Sequence, residues 1–223
     1  MKYFRLSLII YLMFFSVYSY VMPQVVNVSD SSRQKPDTVR TPTNAKDKKK
    51  ATHPRILVIG HSWAYGAFHN DSLYFSEYGI NIDEITKIGS SIQWAIDTLK
   101  NVPDRNYDAI CIFTGVNDYK NDVNYIADKF YELFQEGFNK VPVLFVFNIP
   151  DWKPATDKIK VLNQWLDDMA KINDSLIIFD IYNEMELQKQ NGFQMRADGL
   201  HPSNYDVVRN FFIYFVQKYY NIK

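Results

Sequence analysis

Residues 55–62 read Arg-Ile-Leu-Val-Ile-Gly-His-Ser, and they are the most informative stretch of the chain. Four apolar side chains, Ile56 to Ile59, run directly into a glycine and two polar residues. A short continuous apolar run that ends at a turn residue is typical of a β-strand buried on both faces. The stretch therefore predicts an inner strand with polar side chains at its carboxyl end.

Further runs of the same kind lie at 108–114, 141–147 and 176–180, and a weaker candidate lies at 82–88. Between them, apolar residues recur at intervals of three and four, which predicts amphipathic helices. These intervals occur at Val123, Ile126, Ala127, Phe130, Leu133 and Phe134, at Ile159, Leu162, Leu166 and Met169, and at Tyr205, Val208, Phe212, Phe215 and Tyr219. Strands that alternate with helices indicate a parallel sheet, so we predict a three-layer α/β/α sandwich with about five strands.

The composition excludes several classes of protein. Of the 223 residues, 47% are hydrophobic and 22% are charged, which excludes a wholly disordered, collagen-like or multi-span membrane chain. Basic and acidic residues number 25 each, and this balance gives no indication of a nucleic-acid partner. The single cysteine, Cys111, excludes an intrachain disulfide and a Cys-rich zinc site.

The first 22 residues resemble an export signal. Lys2 and Arg5 are followed by a largely apolar stretch, 6–21, and Val17-Tyr18-Ser19 is a candidate cleavage site. The sequence therefore predicts a secreted or cell-envelope protein, periplasmic or extracellular. A retained N-terminal membrane anchor is the alternative, because the stretch is close to the minimum of about 17 residues that can span a bilayer.

A basic linker is predicted at 23–53, followed by a globular domain at 54–223. The linker has no hydrophobic period and too few apolar residues to offset the entropy of ordering it. Residues 1–53 contain nine Lys and Arg but three Asp, whereas 54–223 contain sixteen basic and twenty-two acidic residues. The opposite charge balance indicates two different kinds of segment.

Polar residues follow the predicted strands, where the ligands of a parallel α/β sheet bind. Gly-His-Ser stands at 60–62, Gly-Ser-Ser at 89–91 and Gly-Val-Asn-Asp at 115–118. Asp-Gly-Leu-His-Pro stands at 198–202, near the end of the chain. These four blocks supply a hydroxyl nucleophile, an imidazole, a carboxylate and amide donors, which are the groups that acyl transfer requires.

Each group has a chemical role in such a reaction. Ser62 becomes a nucleophile when His201 takes its proton, and Asp198, three residues before His201, is close enough to orient the imidazole. The oxyanion of a tetrahedral intermediate needs donors, and the backbone N–H groups of Ser62 and Gly89 and the side-chain amide of Asn117 are the candidates. Taken singly, these residues also fit ordinary helix caps and turns.

The four blocks in this order resemble the SGNH or GDSL hydrolases, over about residues 55–220. That family carries a Gly-Asp-Ser block, a glycine after the second strand, a Gly-x-Asn-Asp block and Asp-x-x-His near its end. The resemblance implies a flavodoxin-like parallel sheet and ester hydrolysis or acyl transfer without a metal or cofactor. It also implies that Ser62, His201 and Asp198 are catalytic and that Ser62, Gly89 and Asn117 form the oxyanion hole.

The first block departs from the family, because His61 stands where the family has Asp. The family's Asp orders the neighbouring loop, so His61 either takes over that role, changes the charge and pH profile of the site, or marks a catalytically silent member. A metal site at His61, His69 and Asp71 is a weaker alternative, because a three-ligand site needs better-defined spacing.

The substrate is predicted from the aromatic residues beside the site blocks, whose rings suit sugars or acyl chains. Candidate substrate-binding residues are Trp63, Trp94, Tyr119 and Trp152. Export, and the lack of a lid-like insertion, favour a small acyl group such as acetyl on a carbohydrate. The alternatives are a lysophospholipid or simple ester substrate, O-acyl transfer to a glycan, and a catalytically silent carbohydrate-binding protein.

Overall fold

The computed structural model describes residues 52–103 and 106–222. The predicted signal segment, 1–22, and all but the end of the predicted linker, 23–53, lie outside these described residues. The strands and helices all fall within the predicted globular domain, 54–223. The strands are β1 (Arg55–Gly60), β2 (Asn81–Thr86), β3 (Ala109–Phe113), β4 (Leu144–Phe147) and β5 (Leu176–Phe179).

The five strands form one parallel sheet in the order β2-β1-β3-β4-β5. The prediction of an α/β fold with a flavodoxin-like sheet is confirmed. At the carboxyl end of β1, Gly60 is paired with Thr86 of β2 on one side and with Phe113 of β3 on the other. The connection after β1 leads to β2 on one side, whereas the connection after β3 leads to β4 on the other side. Such a switch point is where doubly wound sheets bind their ligands.

Helices cover both faces of the sheet. In the described part of the chain they are α1 (Ser62–Phe68), α2 (Ser72–Ser76), α3 (Ile92–Asn101), α4 (Val123–Phe138), α5 (Thr156–Lys171), α6 (Ile181–Gln190) and α7 (Asp206–Tyr220). Short 3-10 helices lie at Val116–Asp118 and Lys153–Ala155. None of the helices described combines the length and the hydropathy that a membrane span requires.

The core consists of two layers, one on each face of the sheet. Leu57 and Ile59 of β1 pack with the buried sides of α3, α4 and α5. The alternate residues, Ile56 and Val58, pack with α1, α2, α6 and α7. Because successive side chains of a strand point to opposite faces, an unbroken apolar run fits a strand covered on both sides. The three-layer α/β/α sandwich predicted from the alternation of strands and helices is therefore present.

Candidate active site

Ser62 is the first residue of α1, two residues after the end of the inner strand β1. The backbone N–H of His61 donates to the carbonyl oxygen of Phe113 at 3.2 Å, which ties the end of β1 to the end of β3. The backbone N–H groups of a helix's first turn have no partner within the helix. Ser62 therefore stands at the switch point of the sheet, with its hydroxyl and its N–H both at the carboxyl edge.

His201, which lies near the C-terminal end of the sequence, contacts this serine. Its Nε2 lies 2.7 Å from the Oγ of Ser62, across 139 residues of sequence. Its Nδ1 lies 2.7 Å from Oδ2 of Asp198. A proton on Nδ1 that is donated to the carboxylate leaves Nε2 as the acceptor for the Ser62 hydroxyl. The structure thus assembles the predicted serine, histidine and aspartate into one hydrogen-bonded relay.

Asp198 holds both the imidazole and the loop that carries it. Its second oxygen, Oδ1, accepts the backbone N–H groups of Leu200 and His201, each at 2.9 Å. The backbone and side-chain hydrogen bonds from His201 lower the pKa of this carboxyl from 3.8 to about 2. Asp198 is therefore ionised at any pH at which His201 is neutral, which suits it to stabilise the imidazolium formed during the reaction.

The candidate oxyanion donors lie on two neighbouring loops. Nδ2 of Asn117 donates to the carbonyl oxygen of Ser90 at 2.9 Å, and this bond leaves its second amide hydrogen available. In the part of the chain described, the backbone N–H groups of Ser62 and Gly89 have no protein acceptor. Each of the three candidate donors thus keeps a hydrogen available, and their joint role as an oxyanion hole stays a prediction.

Two neighbours of Asn117 fix its position. Gly115 has a φ of 98°, and a Cβ there would lie 2.9 Å from Cδ1 of Ile149, so the turn needs glycine. Asp118 is buried, and its Oδ2 accepts the backbone N–H of Ile92 at 2.9 Å. Burial raises the pKa of this carboxyl, an effect that the hydrogen bond from Ile92 partly opposes. Asp118 thereby joins the β3–α4 loop to the start of α3.

His61 serves as the helix cap. Its side chain is 2% exposed, and its Nδ1 accepts the backbone N–H of Trp63 at 3.3 Å. Burial, and to a lesser degree the charge of His201, lowers the pKa of His61 from 6.5 to about 3. A neutral imidazole here performs the N-capping that a carboxylate also performs. The local ordering role considered for His61 from the sequence is therefore present.

The other residues of the alternative metal site are engaged elsewhere. Nδ1 of His69 lies 2.6 Å from Oε1 of Glu84, and Asp71 pairs with Arg209. Among the described residues, no three His, Cys, Asp or Glu side chains are grouped as a metal site requires. Cys111 is buried in β3, where burial raises the pKa of its thiol.

The four candidate substrate-binding aromatics occupy different environments. Trp63 is 1% exposed, and its ring lies edge-on to Tyr205 in the core, so the expectation that it contacts substrate is wrong. Trp94 is half-buried against the core layer formed by α3, α4 and α5. Tyr119 and Trp152 form a T-shaped pair with ring centroids 4.5 Å apart, and both are partly exposed.

A small cavity of about 220 Å³ adjoins this pair and is lined by Tyr119 and residues 153–158. A larger cavity of about 660 Å³ lies near the amino ends of β1 and β2, lined by residues that include His53, Gly79 and Tyr220. Ligands of such sheets bind at the carboxyl edge. The smaller cavity is therefore on the side of the sheet where ligands bind, but Ser62, Asp198 and His201 line neither cavity.

No sequence pattern indicates the contacts that join α1 to the segment carrying His201. The ring of Tyr205 fills the space where a side chain at position 66 would be, so Gly66 is required for the close approach of the two segments. Nε of Arg209 donates to the carbonyl oxygen of Ala67 at 2.8 Å, in the last turn of α1. Only an aligned set of relatives or the structure itself can reveal contacts across so many residues.

No family model matches this chain, and no curated protein matches it. Solved structures do match. A member of the lipolytic protein G-D-S-L family from Veillonella parvula has a TM-score of 0.61 and 15% identity, over 70% of this chain and 94% of that chain. A lipase/acylhydrolase from Enterococcus faecalis has a TM-score of 0.62 and 17% identity, over 74% and 96% respectively.

An acetylxylan esterase from Geobacillus stearothermophilus has a TM-score of 0.62 and 14% identity, over 75% of this chain and 96% of that chain. Each solved structure is matched along nearly its whole length, which confirms the predicted fold. The chain has the fold of the G-D-S-L lipolytic proteins, and at the carboxyl edge of its sheet it carries a Ser62–His201–Asp198 relay.

Proposed function

We propose that this protein is a serine ester hydrolase of the SGNH type. The observation that carries the proposal is the continuous relay, in which both hydrogen bonds of His201, to Ser62 and to Asp198, are 2.7 Å long. Distances of this length allow direct proton transfer from hydroxyl to imidazole. The fold shared with lipolytic proteins and an acetylxylan esterase supports the same activity.

In the first half of the reaction, Nε2 of His201 takes the proton of Ser62 as Oγ attacks the ester carbonyl carbon. The charge on the carbonyl oxygen is then stabilised by the N–H groups of Ser62 and Gly89 and by the amide of Asn117. The tetrahedral intermediate collapses as His201 returns the proton to the departing alcohol oxygen. The products of this half are a free alcohol and an acyl group on Ser62.

In the second half, water takes the place of the alcohol. His201 accepts a proton from the water while the water oxygen attacks the acyl carbon, and the same donors hold the second oxyanion. The bond to Oγ then breaks, the proton returns to Ser62, and the acid leaves. Asp198 stays ionised throughout and stabilises the imidazolium in both halves.

Hydrolysis of p-nitrophenyl acetate, with Ser62→Ala as control, tests the activity. The wild type should hydrolyse the ester and should be labelled at Ser62 by an organophosphonate, whereas Ser62→Ala should do neither. A folded wild-type protein that neither hydrolyses the ester nor reacts with the probe would be a silent binding protein. Labelling of another serine in Ser62→Ala would mean that the nucleophile has been misassigned.

The substrate that we propose is a carbohydrate carrying a small acyl group such as acetyl. The T-shaped pair of Tyr119 and Trp152 supports this, because Tyr119 lies two residues after Asn117 and both rings are partly exposed. The similarity to an acetylxylan esterase supports it too. Rates on acetyl, butyryl and longer esters test the acyl group, and a preference for long chains would favour a lipid substrate instead.

We also propose that the protein is exported, with residues 1–22 as the signal. The charged start and apolar stretch of this segment support export. Expression of the full chain followed by N-terminal sequencing of the mature protein tests it. A new N-terminus close to Ser19 or Met22 is expected, whereas an intact N-terminus in the membrane fraction would indicate a retained anchor.

A further inference from the structure

Ser62 and Tyr65 lie in α1, and His69 is the residue that follows its last turn. Residues three apart lie on the same face of a helix, so Tyr65 is a surface neighbour of the nucleophile. The backbone N–H of His69 donates to the carbonyl oxygen of Tyr65 at 3.1 Å, which holds His69 next to Tyr65 at the end of the helix.

The ring of Tyr65 is supported from one side. It stacks on the imidazole of His69 with centroids 4.3 Å apart and planes 20° apart. That imidazole is held by Oε1 of Glu84 at 2.6 Å, and Oε2 of Glu84 accepts the hydroxyl of Thr86 at 3.0 Å. A chain of contacts from α1 to β2 thus fixes the plane of the tyrosine ring.

The rest of the ring is partly exposed. Tyr65 is 38% exposed, and within the described residues its ring meets no aromatic ring but that of His69, and its hydroxyl has no hydrogen-bond partner. Because one face of the ring meets His69, which follows the last turn of α1, the other face points away from His69. A flat ring held in place and partly exposed beside a nucleophile is suited to binding a ligand.

We propose that Tyr65, backed by His69 and Glu84, is a sugar-binding subsite that holds a pyranose ring beside the ester attacked by Ser62. The inference rests on the proposed esterase function and specifies its substrate further. The apolar face of a pyranose packs on an aromatic ring, and the free hydroxyl of Tyr65 both donates to and accepts from sugar hydroxyls. The polar support from His69 and Glu84 suits a sugar better than an acyl chain, which favours an apolar cleft.

The order of the strands places this subsite across the nucleophile from the Tyr119–Trp152 pair. Glu84 and Thr86 belong to β2, on one side of β1, whereas Tyr119 follows β3 and Trp152 follows β4, on the other side. A ligand that contacts both aromatic groups must extend across Ser62. The geometry therefore points to a substrate of two or more sugar units rather than to a single acetylated sugar.

Inhibition of ester hydrolysis by an unacetylated disaccharide tests sugar binding at the subsite. It does so without requiring that the protein deacetylates a glycan. Ethyl acetate, which has no ring, serves as the reporter ester, and xylobiose and cellobiose serve as competitors whose inhibition constants are measured. We expect Tyr65→Ala to raise the inhibition constant of each disaccharide by a factor about tenfold larger than the factor by which it changes kcat/KM for ethyl acetate. Tyr65→Phe, which keeps the ring, should retain most of the affinity, and His69→Ala should show an intermediate loss.

Tyr131→Ala is the matched control, because Tyr131 is a 49% exposed tyrosine on α4 with no place in the site. It should leave both quantities unchanged. Phosphonate labelling of Ser62 confirms that each variant is folded. If neither disaccharide inhibits the wild type, or if Tyr65→Ala and Tyr131→Ala behave alike, the subsite is wrong while esterase activity on ethyl acetate stands. If the wild type hydrolyses neither ethyl acetate nor p-nitrophenyl acetate, the esterase proposal fails, and binding of xylobiose measured by calorimetry on the same variants still decides the subsite.

Discussion

Two histidines flank the nucleophile, and their surroundings give them opposite properties. His61 is enclosed by the core, caps α1 through Nδ1, and has its pKa lowered to about 3. His201 is half-buried, and each of its ring nitrogens is hydrogen-bonded to a catalytic partner. The residue type alone therefore does not identify the general base. A base is identified by its access to the serine hydroxyl and by a carboxylate partner.

The contrast also explains how a second imidazole is tolerated so close to the site. A charged His61 would oppose the positive charge that His201 acquires during catalysis. Burial keeps His61 neutral over the pH range in which the relay operates. The site therefore accommodates histidine in place of the family's aspartate without a competing base.

The largest effect that separates the two histidines is expected from truncation of the base. His201→Ala should lower kcat/KM for p-nitrophenyl acetate about 10⁴-fold, because no other group accepts the proton of Ser62. His61→Asn, which keeps a capping side chain, should lower it by less than about tenfold. Steady-state kinetics on both variants measure the difference, and a larger loss in His61→Asn would reverse the assignment.

Removal of the carboxylate partner should give the next largest effect. Asp198→Asn should lower kcat about 10²-fold or more, because the imidazolium is no longer stabilised. The carboxylate of Asp198 lies 2.7 Å from Nδ1 of His201 and favours a positive charge there, so its loss should move the midpoint of the kcat/KM–pH profile to lower pH. A midpoint that moves upward, or not at all, would mean that Asp198 does not orient the base.

The buried His61 should affect the pH dependence of the free energy of unfolding rather than that of the reaction rate. Below pH 6.5 the unfolded chain binds a proton at His61 and the folded chain does not, so the free energy of unfolding should fall between pH 6.5 and about 3. His61→Asn should flatten the curve in this window. Urea unfolding at several pH values measures it, with the exposed His53→Asn as control; equal curves for both variants would contradict the buried, neutral state of His61.

The smallest effect is expected from restoring the family's residue. His61→Asp should move the midpoint of the kcat/KM–pH profile upward by less than about one unit, because a carboxylate near His201 favours the imidazolium. The same profile recorded for His61→Asn provides the neutral reference. A shift of equal size in both variants would show that the cap's shape matters and its charge does not.

The sequence was sufficient to locate the candidate catalytic groups, because each lies in a short block after a strand or within a single turn. Ser62 follows an apolar run, and Asp198 and His201 are three residues apart, so local patterns locate them. The edge strand β2 was less clear, since it combines one buried residue, Ile82, with the polar and partly buried Asp83 and Glu84. Edge strands lack the continuous apolar run of inner strands.

Contacts between distant segments could not be predicted. Trp63 follows the nucleophile directly, but its burial depends on Tyr205, which the chain supplies 142 residues later. The same holds for Gly66, whose need for a hydrogen side chain comes from Tyr205. A helical period identifies the buried face of a helix, and it does not identify which distant residue covers a given position.

The separation of Ser62 from His201 by 139 residues has a consequence for how the protein matures. Long-range pairings form slowly, because the chain entropy lost in closing a large loop precedes the contacts that compensate for it. A growing chain in which β1 and α1 have already folded still lacks its base until the segment 196–220 docks on α1. Ester hydrolysis therefore requires that this last long-range docking step is complete. The rate at which activity appears during refolding measures the rate of that step.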